Sequence, residues 1–528
     1  MEDTIIDRLI ECLPTHKSHG EYYNILVRAF KLCDVEVLKS FINMGVSPNI
    51  TLFDGHSPLT LVIDTASSDN WQNVATLLLN SGANPNMCNP KGKSILSMLV
   101  TAGESELVEL AIRKGAKIEC PFPSVENAVI TAVHFKKVSC LKVLLEHGAN
   151  PNAISNEGST ALMWAAGRSN GIGSQKCLAA VKALLAYGAD PSICNHRGYT
   201  PLMAAALIRE ATTVQVLIEA GAQLEATDFR GETALFKAVY SNCVESVKHL
   251  LMAGANVNAR CKNERTSLMV GNSFKIFNLL LKFKSDPSAT DMDGFTALHH
   301  YARADKPHFL RILCIHGSSL ESTCKLGNTP LQIAVRARST ASIKFFMDRG
   351  ANVSTRNNSG VTLFHESIIP WDYFRTLDVF PIVNTLSMLH EVQGYVTPAS
   401  DACTDLIREM LSSGGSCDEA TKCGVTPLML AALCGDVALC TLLIKEGNCD
   451  PHAEDCRGRN VLCYACRGGQ TCVVKLLGRY NVEVNCLDCD YNLPIFYAAQ
   501  FQFMNIVNLF ILDFAFFMCY SINKQKHI

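Results

Sequence analysis

Thr200-Pro201-Leu202-Met203-Ala204-Ala205-Ala206 opens the stretch whose reading decides the fold. An apolar segment follows and ends at Gly221-Ala222; a polar turn, Asp228-Phe229-Arg230-Gly231, comes next. The pattern then restarts at Thr233-Ala234-Leu235-Phe236-Lys237-Ala238 and closes at Gly254-Ala255-Asn256-Val257-Asn258, a step of 33 residues. Thr200 and Thr233 are hydroxyl caps able to accept from free helical N–H groups, and Pro201 stands at the first helical position, where it forfeits no hydrogen bond. Leu202, Ala205 and Ala206 share one helical face, small enough for a neighbouring helix to come close. Val214, Leu217 and Ile218 form the apolar face of a second helix. Gly221 supplies the left-handed residue that ends it, and the residues 228–231 have turn chemistry.

Helix, turn, helix and finger at a 33-residue period, with T-P-L-x-x-A at the first helix, resembles the ankyrin-repeat family over nearly the whole chain. The resemblance implies an all-α ankyrin-repeat solenoid with β-hairpin fingers. The cap-equivalent position recurs at Asn24, Ser57, Ser94, Asn127, Thr160, Thr200, Thr233, Thr266, Thr296, Thr329, Thr362, Thr426, Asn460 and Leu493, which makes fourteen repeats. The helix-ending glycine recurs with them, replaced by Lys284 and Asn481 in two repeats.

The organisation expected is an N-terminal cap over 1–19, repeats over 20–365, an insertion or degenerate repeat over 366–401, repeats again over 402–514 and an apolar tail over 515–528. Extra residues near Thr65 to Asn70 and Ser169 to Gln175 fall between helices, and the repeat after Thr266 is three residues short, so its helices are expected to be abbreviated. The 64-residue step from Thr362 to Thr426 reads as one repeat with an insertion between its helices; a fifteenth repeat is the alternative. The last repeat has a Phe-rich outer face and no capping glycine, so the chain is expected to be a truncated or alternatively terminated product of a longer array, with docking on a partner as the rival reading.

At 528 residues a stack whose repeats touch only their neighbours is a natural architecture. Charged residues are 18% of the chain against about a quarter in ordinary domains, as expected of repeats sandwiched between others. The formal net charge of −2 gives no broad grip on nucleic acid. Met1 to Leu13 lacks the basic start and apolar core of a signal peptide, and the C-terminal apolar run is too short for a membrane span. The 24 cysteines scatter through repeat positions, which suits reduced thiols and a cytoplasmic or nuclear protein.

No phosphate-binding, nucleophile-elbow, zinc-protease or dinucleotide pattern occurs, and the repeat consumes nearly every residue. The expectation is a non-enzyme with no catalytic residues, no cofactor, no small-molecule substrate and no metal. The spacing of Cys463, Cys466, Cys486 and Cys489 suits zinc, yet the repeat register puts Cys466 in a small buried slot and the second pair on a finger. The cysteine enrichment from Cys403 to Cys489 reads as small buried positions rather than redox control. His299 and His365 fall at the motif histidine that the family uses structurally.

The resemblance implies that partner proteins bind in the concave groove and on the finger tips, at the two residues before the finger glycine, the one after it and the outward face of the first helix. Those positions give His196, Arg197 and Tyr199; Phe229, Arg230 and Glu232; Met292, Asp293 and Phe295; Lys325, Leu326 and Asn328; and Cys456, Arg457 and Arg459. Among them His196, Arg197, Tyr199, Phe229, Arg230, Glu232, Met292 and Phe295 are the candidate partner-binding residues, because aromatics and arginine there are not required by a turn. Asn86, Asn152, Asn258 and Asn485 each stand eight residues after a Leu, similar to sites that asparaginyl hydroxylases modify in ankyrin proteins. The function expected is an interaction scaffold or adaptor. The alternatives are a substrate-recognition subunit of a ubiquitin ligase and the targeting region of a larger enzyme or channel.

Overall fold

The computed structural model describes residues 27–52, 55–65, 70–119, 127–167, 174–368 and 401–512. The expected N-terminal cap, the bulk of the 366–401 segment and the apolar tail lie outside them. The chain divides into two compact halves, 1–285 and 286–528, each described by itself.

In the N-terminal half the quoted stretch folds as its pattern requires. Helix Pro201–Leu207 starts at Thr200, whose side chain accepts from the Met203 amide, and buries Leu202, Ala205 and Ala206 completely. Helix Ala211–Glu219 buries Val214 and Leu217 and ends before Gly221, whose φ is +83°. Each fully buried Leu contributes about 1.5–3 kcal/mol, and the same two-helix pattern recurs at Ala234–Tyr240 and Val244–Met252. Thr233 departs from expectation: its hydroxyl makes no cap bond and is buried without a partner. Only the first helix of the short repeat is abbreviated, to Ser267–Val270; its second, Phe274–Lys282, has the usual nine residues. Part of the extra sequence after Thr160 lengthens a helix, Ser174–Ala186, to 13 residues. Lys284 takes the left-handed conformation of the glycine it replaces, at φ +65°.

The fingers are hairpins reduced to their tightest form. Asp228 N–H donates to the Glu232 carbonyl at 3.1 Å, and Gly231 N–H to the Asp228 carbonyl at 2.8 Å. Where a bridge forms it is isolated, as between Cys88 and Ser94, Ile154 and Thr160, or Glu454 and Asn460. Neighbouring fingers are then sewn together: the Phe229 amide donates to the Arg197 carbonyl and the Lys262 amide to the Arg230 carbonyl, both at 2.9 Å.

The C-terminal half repeats the scheme with a second device. His299 Nδ1 accepts from the Thr296 amide at 3.1 Å while its Nε2 lies 3.1 Å from the Asn328 carbonyl of the next repeat. Gln332 does the same with the Thr329 amide and the Val361 carbonyl, and His365 with the Thr362 amide and the Val425 carbonyl. Burial holds both imidazoles down to about 4, so they are neutral. The last of these bonds crosses the 64-residue step in the period, and so do Lys422 N–H to the Ser359 carbonyl at 3.0 Å and Arg356 to Glu419 at 2.9 Å. The finger at 357–361 and the finger at 421–425 are therefore direct neighbours. Asn481 carries the left-handed residue, at φ +52°, and the last described helix covers 504–512.

Candidate protein-binding surface

The two residues before each finger glycine and the one after it part company in the structure. In the N-terminal half His196, Arg197, Phe229 and Arg230 are exposed, Phe229 by 53% of its surface, and the Arg230 guanidinium sits 5.2 Å from the Phe229 ring centre. Lys262, one finger further on, is exposed too and extends the same row. The residue after the glycine instead packs on a first helix, that of its own repeat for Glu232 and Phe295 and that of the next repeat for Tyr199. Tyr199 is half-buried, its ring centre 5.1 Å from Lys237 Nζ, and burial raises its pKa.

Glu232 corrects the expectation most clearly. It is 8% exposed and ion-paired with Lys237, which also holds Asp228 at 2.6 Å. Burial opposes the charge on Asp228, but the bonds from Lys237 and from the Glu232 and Arg230 amides outweigh it and keep Asp228 below the usual carboxylate range. Lys237 is raised in turn by its two carboxylates, despite desolvation. Glu232 is thus part of the fold's wiring, and its acidic charge is not offered to a partner.

The C-terminal half shows the same division. Met292 is 51% exposed, whereas Phe295 is partly covered, its ring 5.4 Å from His299 and 5.8 Å from His300. Leu326 is exposed by 53% with Lys325 beside it, while Asn328 is fully buried. Cys456 is exposed and Arg457 partly so, but Arg459 is 3% exposed and paired with Asp455.

The four candidate zinc cysteines do not gather. Cys463 and Cys486 approach to 3.9 Å and are buried; Cys466 is buried separately, and Cys489 is exposed near the Cys456 carbonyl. No cluster of three metal-ligating side chains occurs among the described residues. Asn86, Asn258 and Asn485 are exposed and Asn152 is partly so, and three of the four bridge repeats. Asn86 donates to the Gly115 carbonyl at 2.9 Å and accepts from the Lys117 amide at 2.7 Å. Asn152 spans Gly188 and Asp190 in the same way, and Asn258 donates to the Lys284 carbonyl.

The exposed residues that the sequence reading did not name include Leu207, at 44%, and Tyr240, at 53%, both at the C-terminal ends of first helices. Their signal was a shared register, seven residues after Thr200 and Thr233.

Among the described residues no helix is long and apolar enough to cross a membrane. The family model for ankyrin repeats, built of three copies, matches residues 63–154, 96–178, 171–261, 267–357, 398–488 and 428–519. The chain is 28% identical over 164 residues to transient receptor potential cation channel subfamily A member 1 of Homo sapiens, covering 30% of this chain and 14% of that protein. It is 29% identical over 134 residues to the B-cell lymphoma 3 protein homolog of Mus musculus, covering 25% and 30%. With ankyrin repeat and SOCS box protein 6 of Mus musculus it shares 33% over 102 residues, covering 19% and 24%. The matched stretches thus span less than a third of these relatives' lengths. Ankyrin repeats are generally non-catalytic modules that bind other proteins. The recurring caps, left-handed helix ends and sewn fingers, together with the family model over most of its length, make this chain a member of the ankyrin-repeat family.

Proposed function

We propose that the chain is a scaffold or adaptor that holds partner proteins on the finger tips of its N-terminal half, at His196, Arg197, Phe229, Arg230 and Lys262. The observation that carries this reading is Phe229, 53% exposed at a tip that needs no aromatic, with an arginine over its face. Three exposed cations in a row, with Asp228 and Glu232 internally neutralised, give the surface a basic and aromatic character suited to an acidic or aromatic protein segment. Met292, Lys325 and Leu326 form a separate candidate strip in the C-terminal half. We place the protein in the cytoplasm or nucleus, in keeping with its many free thiols. Asn86, Asn152, Asn258 and Asn485 stay candidates for hydroxylation.

The test is affinity purification with mass spectrometry of wild type and an Arg197→Glu, Phe229→Ala, Arg230→Glu variant whose circular dichroism matches. Loss of a specific partner in the variant supports the reading; an unchanged partner list overturns it. A second reading, a recognition subunit of a ubiquitin ligase, is favoured by the similarity to a protein named for ankyrin repeats and a SOCS box. Absence of ligase components from the wild-type purification would count against it.

A further inference from the structure

The cysteine-rich stretch of the C-terminal half contains one pair that the stack brings into contact. Cys417 follows helix Asp401–Ser412, and Cys449 stands 32 residues later, after helix Val437–Lys445. Their sulfurs lie 2.7 Å apart, and both residues are buried, at 0% and 3% exposure. Each thiol also reaches the backbone of the other loop: Cys417 Sγ is 3.3 Å from the Gly447 carbonyl, and Cys449 Sγ 3.2 Å from the Cys417 carbonyl. Gly447 has no room for a side chain because Cys417 Sγ fills the space where its Cβ would stand.

The register explains the meeting. Cys417 is three residues after its repeat's helix-ending Gly414, and Cys449 is one residue after Asn448, the left-handed residue of the next repeat. At the same two positions other neighbouring repeats carry Pro85 and Ala116, Pro151 and Ala189, or Leu320 and Ala351. Small and aliphatic residues therefore satisfy the stack, and packing does not demand two thiols. Sulfur here adds chemistry to a contact that the fold makes anyway.

We propose that Cys417 and Cys449 form a reversible dithiol–disulfide site that clips two adjacent repeats together when a peroxide-class oxidant is present. The Cys417 thiolate attacks the peroxide O–O bond, giving a sulfenic acid and hydroxide, which takes up the proton that Cys417 lost and leaves as water. The Cys449 sulfur then attacks the sulfenic sulfur; its proton leaves with the departing hydroxide as a second water, and the S–S bond forms. Two thiols lose two protons and two electrons, and one peroxide becomes two waters. The hydrogen bond shared by the pair assigns the roles, holding Cys417 below the usual thiol range and pushing Cys449 above it. The clip fastens the second helix of the repeat that opens at Thr362 to the repeat that opens at Thr426.

The reduced full-length chain, freed of reductant, is treated with hydrogen peroxide, blocked with N-ethylmaleimide and digested without reduction. The expected product is a Cys417–Cys449 peptide pair two hydrogens lighter than its parts, released by dithiothreitol, together with an upward shift of the thermal midpoint. Cys417→Ser abolishes the pair. Since a hydroxyl in that slot could impair folding, a Cys417→Leu, Cys449→Ala variant installs the residues found at Leu320 and Ala351. It keeps the reduced protein's circular dichroism and loses the peroxide-induced shift. Recovery of both cysteines as maleimide adducts after peroxide overturns the proposal, and so does linkage of either one to Cys423 or Cys456, or a midpoint shift that survives in the Leu/Ala variant.

Discussion

Asp228 and Lys237 stand nine residues apart and meet at 2.6 Å, joining a finger to the first helix of its own repeat. Asp228 Oδ1 accepts from the Arg230 and Glu232 amides, both at 2.9 Å, which leaves Oδ2 for the lysine. The relationship recurs at the same spacing. His300 lies 2.9 Å from Asp291, Tyr464 donates to Asp455 at 2.8 Å, and Tyr497 donates to Asp488. In the described fingers that open with Asn, Ser, Cys or Thr, the position nine residues on carries no lysine, histidine or tyrosine. Glu366 shows the alternative: its finger residue is Asn357, and it pairs with Arg336 of the preceding repeat at 2.6 Å.

Removing Lys237 would leave Asp228 and Glu232 buried without a cation. Lys237→Ala is expected to destabilise the N-terminal half by about 3–5 kcal/mol. The repeat at Asp455 solves the same problem with Arg459 and Tyr464. The exchange Glu232→Arg with Lys237→Tyr is accordingly expected to restore most of the loss, and Lys237→Tyr alone to restore little. Urea melts of the three variants decide it; equal stability of the single and double variants would refute the clamp.

The buried histidines make the C-terminal half acid-sensitive. Burial lowers His299 and His365 from 6.5 to about 4, so below 6.5 the unfolded chain binds protons that the folded one refuses. Stability from these groups is complete above pH 6.5 and is lost as the pH falls towards 4, by about 3 kcal/mol for each histidine. Gln332 makes the same two bonds without a titrating group. His299→Gln with His365→Gln should match wild type at pH 7 and flatten the decline between pH 6.5 and 4, as read by thermal midpoints across that range.

Two classes of glycine should respond differently to alanine. A Cβ on Gly254 meets nothing within 4 Å, so Gly254→Ala carries only left-handed strain, about 1–2 kcal/mol. A Cβ on Gly231 would come 2.8 Å from the Lys262 amide, which bonds the Arg230 carbonyl, so Gly231→Ala carries similar strain and also pushes two fingers apart. Denaturation of the pair should show the greater loss in Gly231→Ala.

The finger-tip residues proposed for partner binding are expected to be dispensable for the fold. Arg197→Ala and Lys262→Ala should each alter stability by no more than about 0.5 kcal/mol, and Phe229→Ala by about 1 kcal/mol, the size of its contact with Arg230. A larger loss in the same urea melts would mark them as structural.

The period, most of the caps and the left-handed helix ends were legible in the sequence because each depends on residues within one repeat; the structural use of His299 and His365 was legible only through the family resemblance, since each imidazole also reaches a carbonyl of the next repeat. The departures at Ser267–Val270 and Ser174–Ala186 were legible too, as a deficit and a surplus against the 33-residue step, but the deficit was expected in both helices and falls in one, and the surplus was expected between helices and partly lengthens one. Local chemistry fixes local geometry. Glu232, Tyr199 and Phe295 looked equivalent to Phe229 and Met292 as finger residues, and only the packing separated them. Glu232 and Phe295 lie against the first helix of their own repeat, at Lys237 and His300, and Tyr199 against Lys237 on the first helix of the next, while the residues before those glycines are exposed. Cys417 and Cys449 make the same point over a longer range. Their registers are written in the chain, but that one repeat sets its third loop position against the first of the next is a property of the stack, decided by how closely small helical faces let neighbouring repeats approach.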